Sequence, residues 1–313
     1  MEIVLLFPGQ GSQKPGMGRD VAEAFPVARA VFEAVDAALG VPLSRLCFDG
    51  PADELTMTDN AQPALFAHGA AVWAATKGRI GSLVRAAAGH SLGEFTAYHA
   101  AGALSLASGA RLVRRRGLLM REAGDARPGA MAAILGELST SIDVLCAQAS
   151  AEVGEVVPAN YNTSEQTVVS GEVAGVECVM ALAKQHGAKR AVRLPVSGAF
   201  HSPLMQPSEP GLREALKAAD LIDPTIPVFS NVDAEPSKTA ITARDRLLRQ
   251  LTSPVRWVEV VEHMAAAYPS AVFVEMGPGA VLTGLVKRIA PGVATATCGT
   301  ATEIEHLLTR VSS

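Results

Sequence analysis

The stretch AAAGHSLGEF, residues 86–95, decides how the chain is read. Three alanines lead to a glycine, His90 and Ser91 follow, and a second glycine opens a run with helical spacing. A G-x-S-x-G pattern lets a chain leave a strand, turn sharply and enter a helix with the serine hydroxyl held at the apex. The same pentapeptide also makes ordinary turns, so its flanks must decide. Residues 83–88 read as a strand and residues 92–101 as a helix. Strand, elbow and helix are therefore all expected, as a nucleophilic serine requires; a purely structural turn is the competing reading.

Working outward, residues 3–7 read as a short buried strand and PGQGSQKPGMG, residues 8–18, as a glycine-rich loop. Apolar spacing predicts helices over 20–39 and 60–75. The texture changes from about residue 129, with a strand over 131–135, a helix over 140–151, strands over 156–161 and 166–170, a helix over 173–186 and a strand over 190–194. That β-α-β-β-α-β order is the split βαβ, or ferredoxin-like, pattern. Alternation then resumes, with buried strands in IPVFSNV (226–232) and AVFVEMG (271–277) and helices near 244–251, 258–267 and 281–289. The expected organisation is a large α/β domain of residues 1–127 and 198–313 carrying a small inserted subdomain of residues 128–197.

At 313 residues and 49% hydrophobic, the chain can bury a full core. A net charge of −4 gives no global attraction to nucleic acid or anionic membranes, and neither is expected as a partner. Cys47, Cys146, Cys178 and Cys298 lie far apart without a C-x-x-C pair, so reduced thiols are expected and no zinc or other metal site is indicated. The run EIVLLF is too short for a signal peptide, and no apolar run reaches membrane-spanning length. A cytoplasmic location follows as the expectation.

A serine hydroxyl needs a base within hydrogen-bond reach. His90 adjoins Ser91 and is expected to point elsewhere on a tight elbow; His68, His99, His186 and His263 fall in predicted helices, and His306 is expected at the surface. His201 differs, because PVSGAFHSPLMQP places it in a loop bounded by proline and glycine, where functional residues are commonly presented. Arg116 stands out by geometry. On a helix over 104–122, Arg111, Arg114, Arg115 and Arg121 share one side, whereas Arg116 points with Leu112, Leu119 and Met120. A buried guanidinium must be paired, either with an internal carboxylate or with a substrate carboxylate. The loop FPGQGSQ, residues 7–13, can bring backbone N–H groups close to a ligand, and Gln10 with Leu92 would form an oxyanion hole. A phosphate-binding turn or a plain connection are the other readings of that loop.

Together, FPGQGSQ, GHSLGEF, RRRG, GAFHSPLM, SNVDA, SPVRW and GPGAVLTGLVKRI resemble, in that order and over nearly the whole chain, the malonyl-CoA:acyl carrier protein transacylases of fatty acid synthesis. The resemblance implies an α/β-hydrolase-like domain with a parallel sheet and a ferredoxin-like insert. It implies that Ser91 carries the malonyl group, that His201 is the base and later the acid, and that the main-chain carbonyl of Gln250 orients His201. Arg116 would hold the malonyl carboxylate, and Gln10 and Leu92 would supply the oxyanion hole. Asn160 and Asn162 would line the site, and Phe200 would crowd the methyl group of methylmalonyl. The implied partners are malonyl-CoA and acyl carrier protein, whose phosphopantetheine thiol is the acceptor. No cofactor or metal is implied, and a monomer suffices. Three alternatives accompany this reading: a catalytically silent binding or scaffold protein on this fold, expected to lack one of Ser91, His201 or Arg116; a free-standing acyltransferase that loads polyketide synthase carrier domains; and a serine thioesterase or esterase. The last should carry an acid between its serine and a late histidine, and has no use for an inward Arg116.

Overall fold

The computed structural model describes residues 1–196 and 198–312, so Ser197, the last residue of the expected insert, lies outside the described residues. Ten strands are described: β1 (Glu2–Phe7), β2 (Val84–Gly89), β3 (Gly129–Leu135), β4 (Val156–Thr163), β5 (Gln166–Glu172), β6 (Arg190–Arg193), β7 (Val228–Phe229), β8 (Pro236–Ser237), β9 (Ala271–Glu275) and β10 (Ala294–Thr297). They form two sheets. The larger has the order β10-β9-β1-β2-β7-β8, and every pairing in it is parallel except β7 with β8.

β1 lies at the middle of that sheet because its residues are apolar on both sides. Ile3, Leu5 and Phe7 enter one core, whereas Val4 and Leu6 enter another on the opposite face. A parallel sheet covered on both faces reads as such an uninterrupted apolar run. The first core is filled by the helix Thr58–Ile80, which packs against the helix Leu106–Ala126. Trp257, Val260, Val261 and Met264 of the helix Trp257–Ala267 fill the second.

The smaller sheet, order β4-β5-β3-β6, is antiparallel throughout. That is the ferredoxin-like arrangement expected from the element order. Helices Ile142–Glu152 and Val173–Gln185 cover one face through Leu145, Cys146, Val176 and Val179. Met131, Ala159 and Val168 look the other way, into the first large core. The seam between the two sheets is therefore packed, and the functional residues gather along it.

Some expected elements change. The helix over 20–39 is two helices, Arg19–Ala24 and Pro26–Leu39, with Phe25 extended between them. Pro26 disfavours helical backbone at the preceding residue and suits the first position of a new helix. IPVFSNV is a strand only at Val228–Phe229, because the Asn231 N–H is taken by the Glu94 carboxylate instead of a ladder partner. Strand β10 and helices Leu43–Asp49, Glu209–Ala218 and Ala301–Ser312 were not anticipated.

Candidate active site

β2 ends at Gly89 and a helix begins at Leu92, leaving Ser91 at φ 51°, ψ −110°. A Cβ at Gly89 would lie 1.9 Å from the carbonyl carbon of Gly93, and one at Gly93 would lie 2.0 Å from the carbonyl oxygen of Phe7. Neither position admits a side chain, which is the local reason for the two motif glycines. Positive φ at a non-glycine residue costs on the order of 1–3 kcal/mol and must be held by its surroundings. Asn231 does the holding: its Oδ1 accepts the Ser91 N–H at 2.7 Å, and its Nδ2 donates to the Gly89 carbonyl at 2.8 Å.

The Ser91 hydroxyl lies 2.7 Å from His201 Nε2. On the far side of the ring, Nδ1 faces the carbonyl oxygens of Gln250 at 2.9 Å and Ser253 at 3.2 Å. Carbonyls only accept, so Nδ1 carries the hydrogen and Nε2 is left to accept from Ser91. Burial, then the positive charge of Arg116, pushes His201 down to about 3, with the two carbonyl bonds opposing. The ring is a neutral base already aimed at the hydroxyl. The Gln250 carbonyl stands where the resemblance placed it; the second carbonyl, from Ser253, was not expected.

Arg116 is 1% exposed, as its helical angle requires. Its Nη1 donates to Gln62 Oε1 at 2.7 Å, and its Nη2 donates to Gln250 Oε1 at 3.1 Å and to Ser91 Oγ at 3.2 Å. Its guanidinium also sits 5.3 Å from the centre of the Phe95 ring. Among the described residues no carboxylate forms an ion pair with it, and its buried Nε has no acceptor. The internal salt bridge considered from the sequence is therefore absent. Burial pushes Arg116 down to about 10, with the Glu94 charge opposing. The neighbouring arginines go elsewhere: Arg114 and Arg121 reach Asp59, and Arg115 pairs with Glu122. Gly117 lets the two helices meet, since a Cβ there would lie 2.7 Å from the Asp59 backbone.

These groups open on a cleft of about 450 Å³. One wall comes from the large sheet side, with Gln10, Ser91, Leu92, Arg116 and His201; the other comes from Met131, Asn160 and Leu194–Val196 of the inserted segment, and Phe200 follows it. Gln10 and Leu92 both line the cleft, and among the described residues neither backbone N–H donates a hydrogen bond. Asn160 takes its expected place, but Asn162 does not line the cleft. It is buried, and its Oδ1 holds His90 Nε2 at 2.8 Å. β4 slips register against β5 both between Pro158 and Asn160 and between Tyr161 and Thr163, so simple strand alternation does not apply to the two asparagines. His90, set aside in the sequence reading, lines the cleft and packs against the Trp257 ring.

Three residues of the site escaped the sequence reading. Gln62 and Asn231 are 1% and 0% exposed amides that hold Arg116 and Ser91, and Glu94 is a fully buried carboxylate beneath the elbow. Gln62 falls one turn after Thr58 on a helix with apolar residues all round, so a polar residue buried there was the available signal. Among the described residues no group of three or more His, Cys, Asp or Glu is placed to hold a metal ion.

The chain matches the acyl transferase domain model over residues 4–300. It is 45% identical over 288 residues to a malonyl CoA-acyl carrier protein transacylase of Bacillus subtilis strain 168, covering 92% of this chain and 90% of that protein. The protein of the same description from Escherichia coli K12 is 42% identical over 288 residues, covering 92% and 93%. Among solved structures, the acyl-carrier-protein S-malonyltransferase of Bartonella henselae superposes with a TM-score of 0.94 at 42% identity, covering 100% of both chains. A malonyl-transacylase solved in complex with its type II polyketide synthase acyl carrier protein gives 0.94 at 39% identity, covering 99% of this chain and 100% of that one.

Proposed function

The chain belongs to the acyl transferase family, and on that premise we propose that it transfers the malonyl group of malonyl-CoA to the phosphopantetheine thiol of an acyl carrier protein. The observation that carries the reading is Arg116: a buried cation that among the described residues touches no carboxylate directly, 3.2 Å from a serine hydroxyl that a neutral histidine accepts. A malonyl thioester has a carboxylate at one end and an electrophilic carbonyl at the other. Arg116 takes the first and Ser91 attacks the second.

Ser91 Oγ adds to the thioester carbon as its proton passes to His201 Nε2. Backbone N–H groups of Gln10 and Leu92 receive the oxyanion, worth on the order of 2.7–4 kcal/mol per donor. Collapse breaks the C–S bond, and His201 returns its proton to the departing CoA thiolate. The second half reverses these roles: His201 takes the carrier thiol proton, sulfur attacks the malonyl-serine ester, and Ser91 leaves with the proton. The carbonyls of Gln250 and Ser253 stabilise the transient imidazolium in place of a carboxylate. Every bond and proton is accounted for by the chain's own groups and the two thiols, so the reaction calls on no metal or redox cofactor.

On this reading the enzyme supplies fatty acid synthesis, acts as a monomer and works in the cytoplasm, where four unpaired cysteines are at home. Among the described residues no helix is long and apolar enough to cross a membrane. The relative bound to a polyketide carrier protein favours one variant, in which the acceptor is a polyketide carrier and the chemistry is unchanged. A thioesterase would need water as acceptor and an acid behind the histidine, whereas carbonyls face Nδ1. The deciding measurement is the intact mass after brief exposure to malonyl-CoA or acetyl-CoA, for the parent chain, Ser91→Ala and Arg116→Ala. One malonyl group on the parent only, removed by added carrier protein, is the expected result. CoA release without a label would overturn it in favour of hydrolysis.

A further inference from the structure

Glu94 sits beneath the elbow with no exposure to solvent, and among the described residues no cation pairs with it directly. Its Oε2 accepts from the Asn231 backbone N–H at 3.1 Å and from Gln250 Nε2 at 2.7 Å. The same Nε2 donates to the Ser91 carbonyl at 3.0 Å, while Gln250 Oε1 receives Arg116 Nη2 at 3.1 Å. An ionised carboxylate and a carbonyl only accept, and a guanidinium only donates. The amide of Gln250 is thus held in one of its two orientations, with nitrogen toward Glu94 and oxygen toward Arg116. Turned over, it would set an NH2 group against a guanidinium.

Resting on the malonyl-transfer reading above, we propose that Glu94 is a positioning residue: by fixing the Gln250 amide it aims the Arg116 guanidinium at the substrate carboxylate. The cation and the carboxylate are an ion pair separated by one amide, which leaves donors of Arg116 uncommitted for malonyl. A direct Glu94–Arg116 pair would have occupied them. Burial pushes Glu94 up to about 7, a sign that its charge depends on these hydrogen bonds. Glu94 reaches the carboxylate end of the substrate through Gln250 and Arg116, and the Ser91 elbow through Asn231, so its removal should weaken carboxylate recognition, which malonyl-CoA alone requires, more than the binding that malonyl-CoA and acetyl-CoA share.

The test uses Ser91→Ala chains, which bind without turnover, and measures the dissociation constants of malonyl-CoA and of acetyl-CoA by calorimetry. Glu94→Gln keeps the shape but can donate, so it permits the Gln250 amide to turn. The expected result is about tenfold weaker malonyl-CoA binding with acetyl-CoA within about twofold, the scale of one charge-assisted hydrogen bond. Glu94→Asp, which keeps the charge but withdraws it by one methylene, should narrow the preference in the same direction and covers the case in which Glu94→Gln does not fold. An unchanged malonyl preference in a folded variant overturns the proposal while the transfer reading stands. Equal weakening of both ligands also overturns it, since that is what a merely structural carboxylate would give. If Ser91→Ala alone shows no preference for malonyl-CoA, the Arg116 clamp itself fails, and this inference with it.

Discussion

Thr58 Oγ1 donates to Gln10 Oε1 at 2.8 Å, and the same hydroxyl accepts from Gln62 Nε2 at 3.1 Å. Gln62 in turn holds Arg116, so the loop that carries Gln10 and the Arg116 guanidinium are tied to a single helix turn. Thr58→Val removes both bonds at nearly constant volume. We expect kcat for malonyl transfer to fall about tenfold, the scale of 1.4 kcal/mol, with Thr58→Ser restoring most of it. Steady-state kinetics of the two variants check this, and an unchanged kcat for the valine form would detach the loop from the clamp.

Ser91 is held at a strained backbone angle by its surroundings. Replacing it with alanine keeps the Cβ at φ 51°, whereas glycine tolerates that backbone. Ser91→Gly should therefore be more stable than Ser91→Ala by about 1 kcal/mol, although both are inactive. Guanidinium unfolding of the pair measures the difference, and equal midpoints would argue that the elbow relaxes once the hydroxyl is gone.

His201 acts as a base only when neutral. Its value lies near 3, below the ordinary 6.5, so the neutral form persists as the solution is acidified and is lost only as pH approaches that lower value. At saturating malonyl-CoA, where the protonation of Glu94 near pH 7 acts on binding and not on the base, the rate of Ser91 acylation should stay flat from about pH 8 down to about pH 5, where an unperturbed histidine would already have lost most of its activity. Rapid-quench acylation across this range is the check. A midpoint near 6.5 would mean that solvent reaches the ring.

Phe200 is 6% exposed and lines the cleft, and a Cβ at Gly198 would lie 3.0 Å from its ring. Shortening it opens room beside the acyl chain without touching Arg116. Phe200→Leu should raise methylmalonyl loading relative to malonyl by about tenfold, within the 1–3 kcal/mol that a methyl-scale difference is worth. Competitive labelling read by mass spectrometry measures the ratio, and an unaltered ratio would place the selectivity elsewhere.

How much of this was legible in advance depended on whether a residue's role is written in backbone geometry or in partners. The elbow was legible because two glycines and a strand-to-helix change describe a backbone path, and Arg116 because helical angle alone turns it inward among leucines. The small sheet was legible from element order. That Asn162 sits behind His90 instead of lining the cleft could not be read from the sequence, because the register of β4 is set by the strand it faces. Glu94, Asn231 and the side chain of Gln250 were invisible for a related reason. Each acts through a partner 19 to 159 residues away, and nothing local marks a buried carboxylate as held.

The place of β1 between β2 and β9 bears on how the chain is made. Its pairing with β2 can form once residue 89 has left the ribosome, but its other edge waits for residues 271–275. Until then, synthesis presents a nascent half-sheet with an apolar open edge, and open edges invite pairing with other chains. By that stage Ser91, Arg116, His201 and both carbonyls behind the imidazole have already emerged. The closing of the scaffold thus comes after the emergence of these side chains, and a chain stalled shortly before residue 271 would be a client for chaperones although it already carries Ser91, Arg116 and His201.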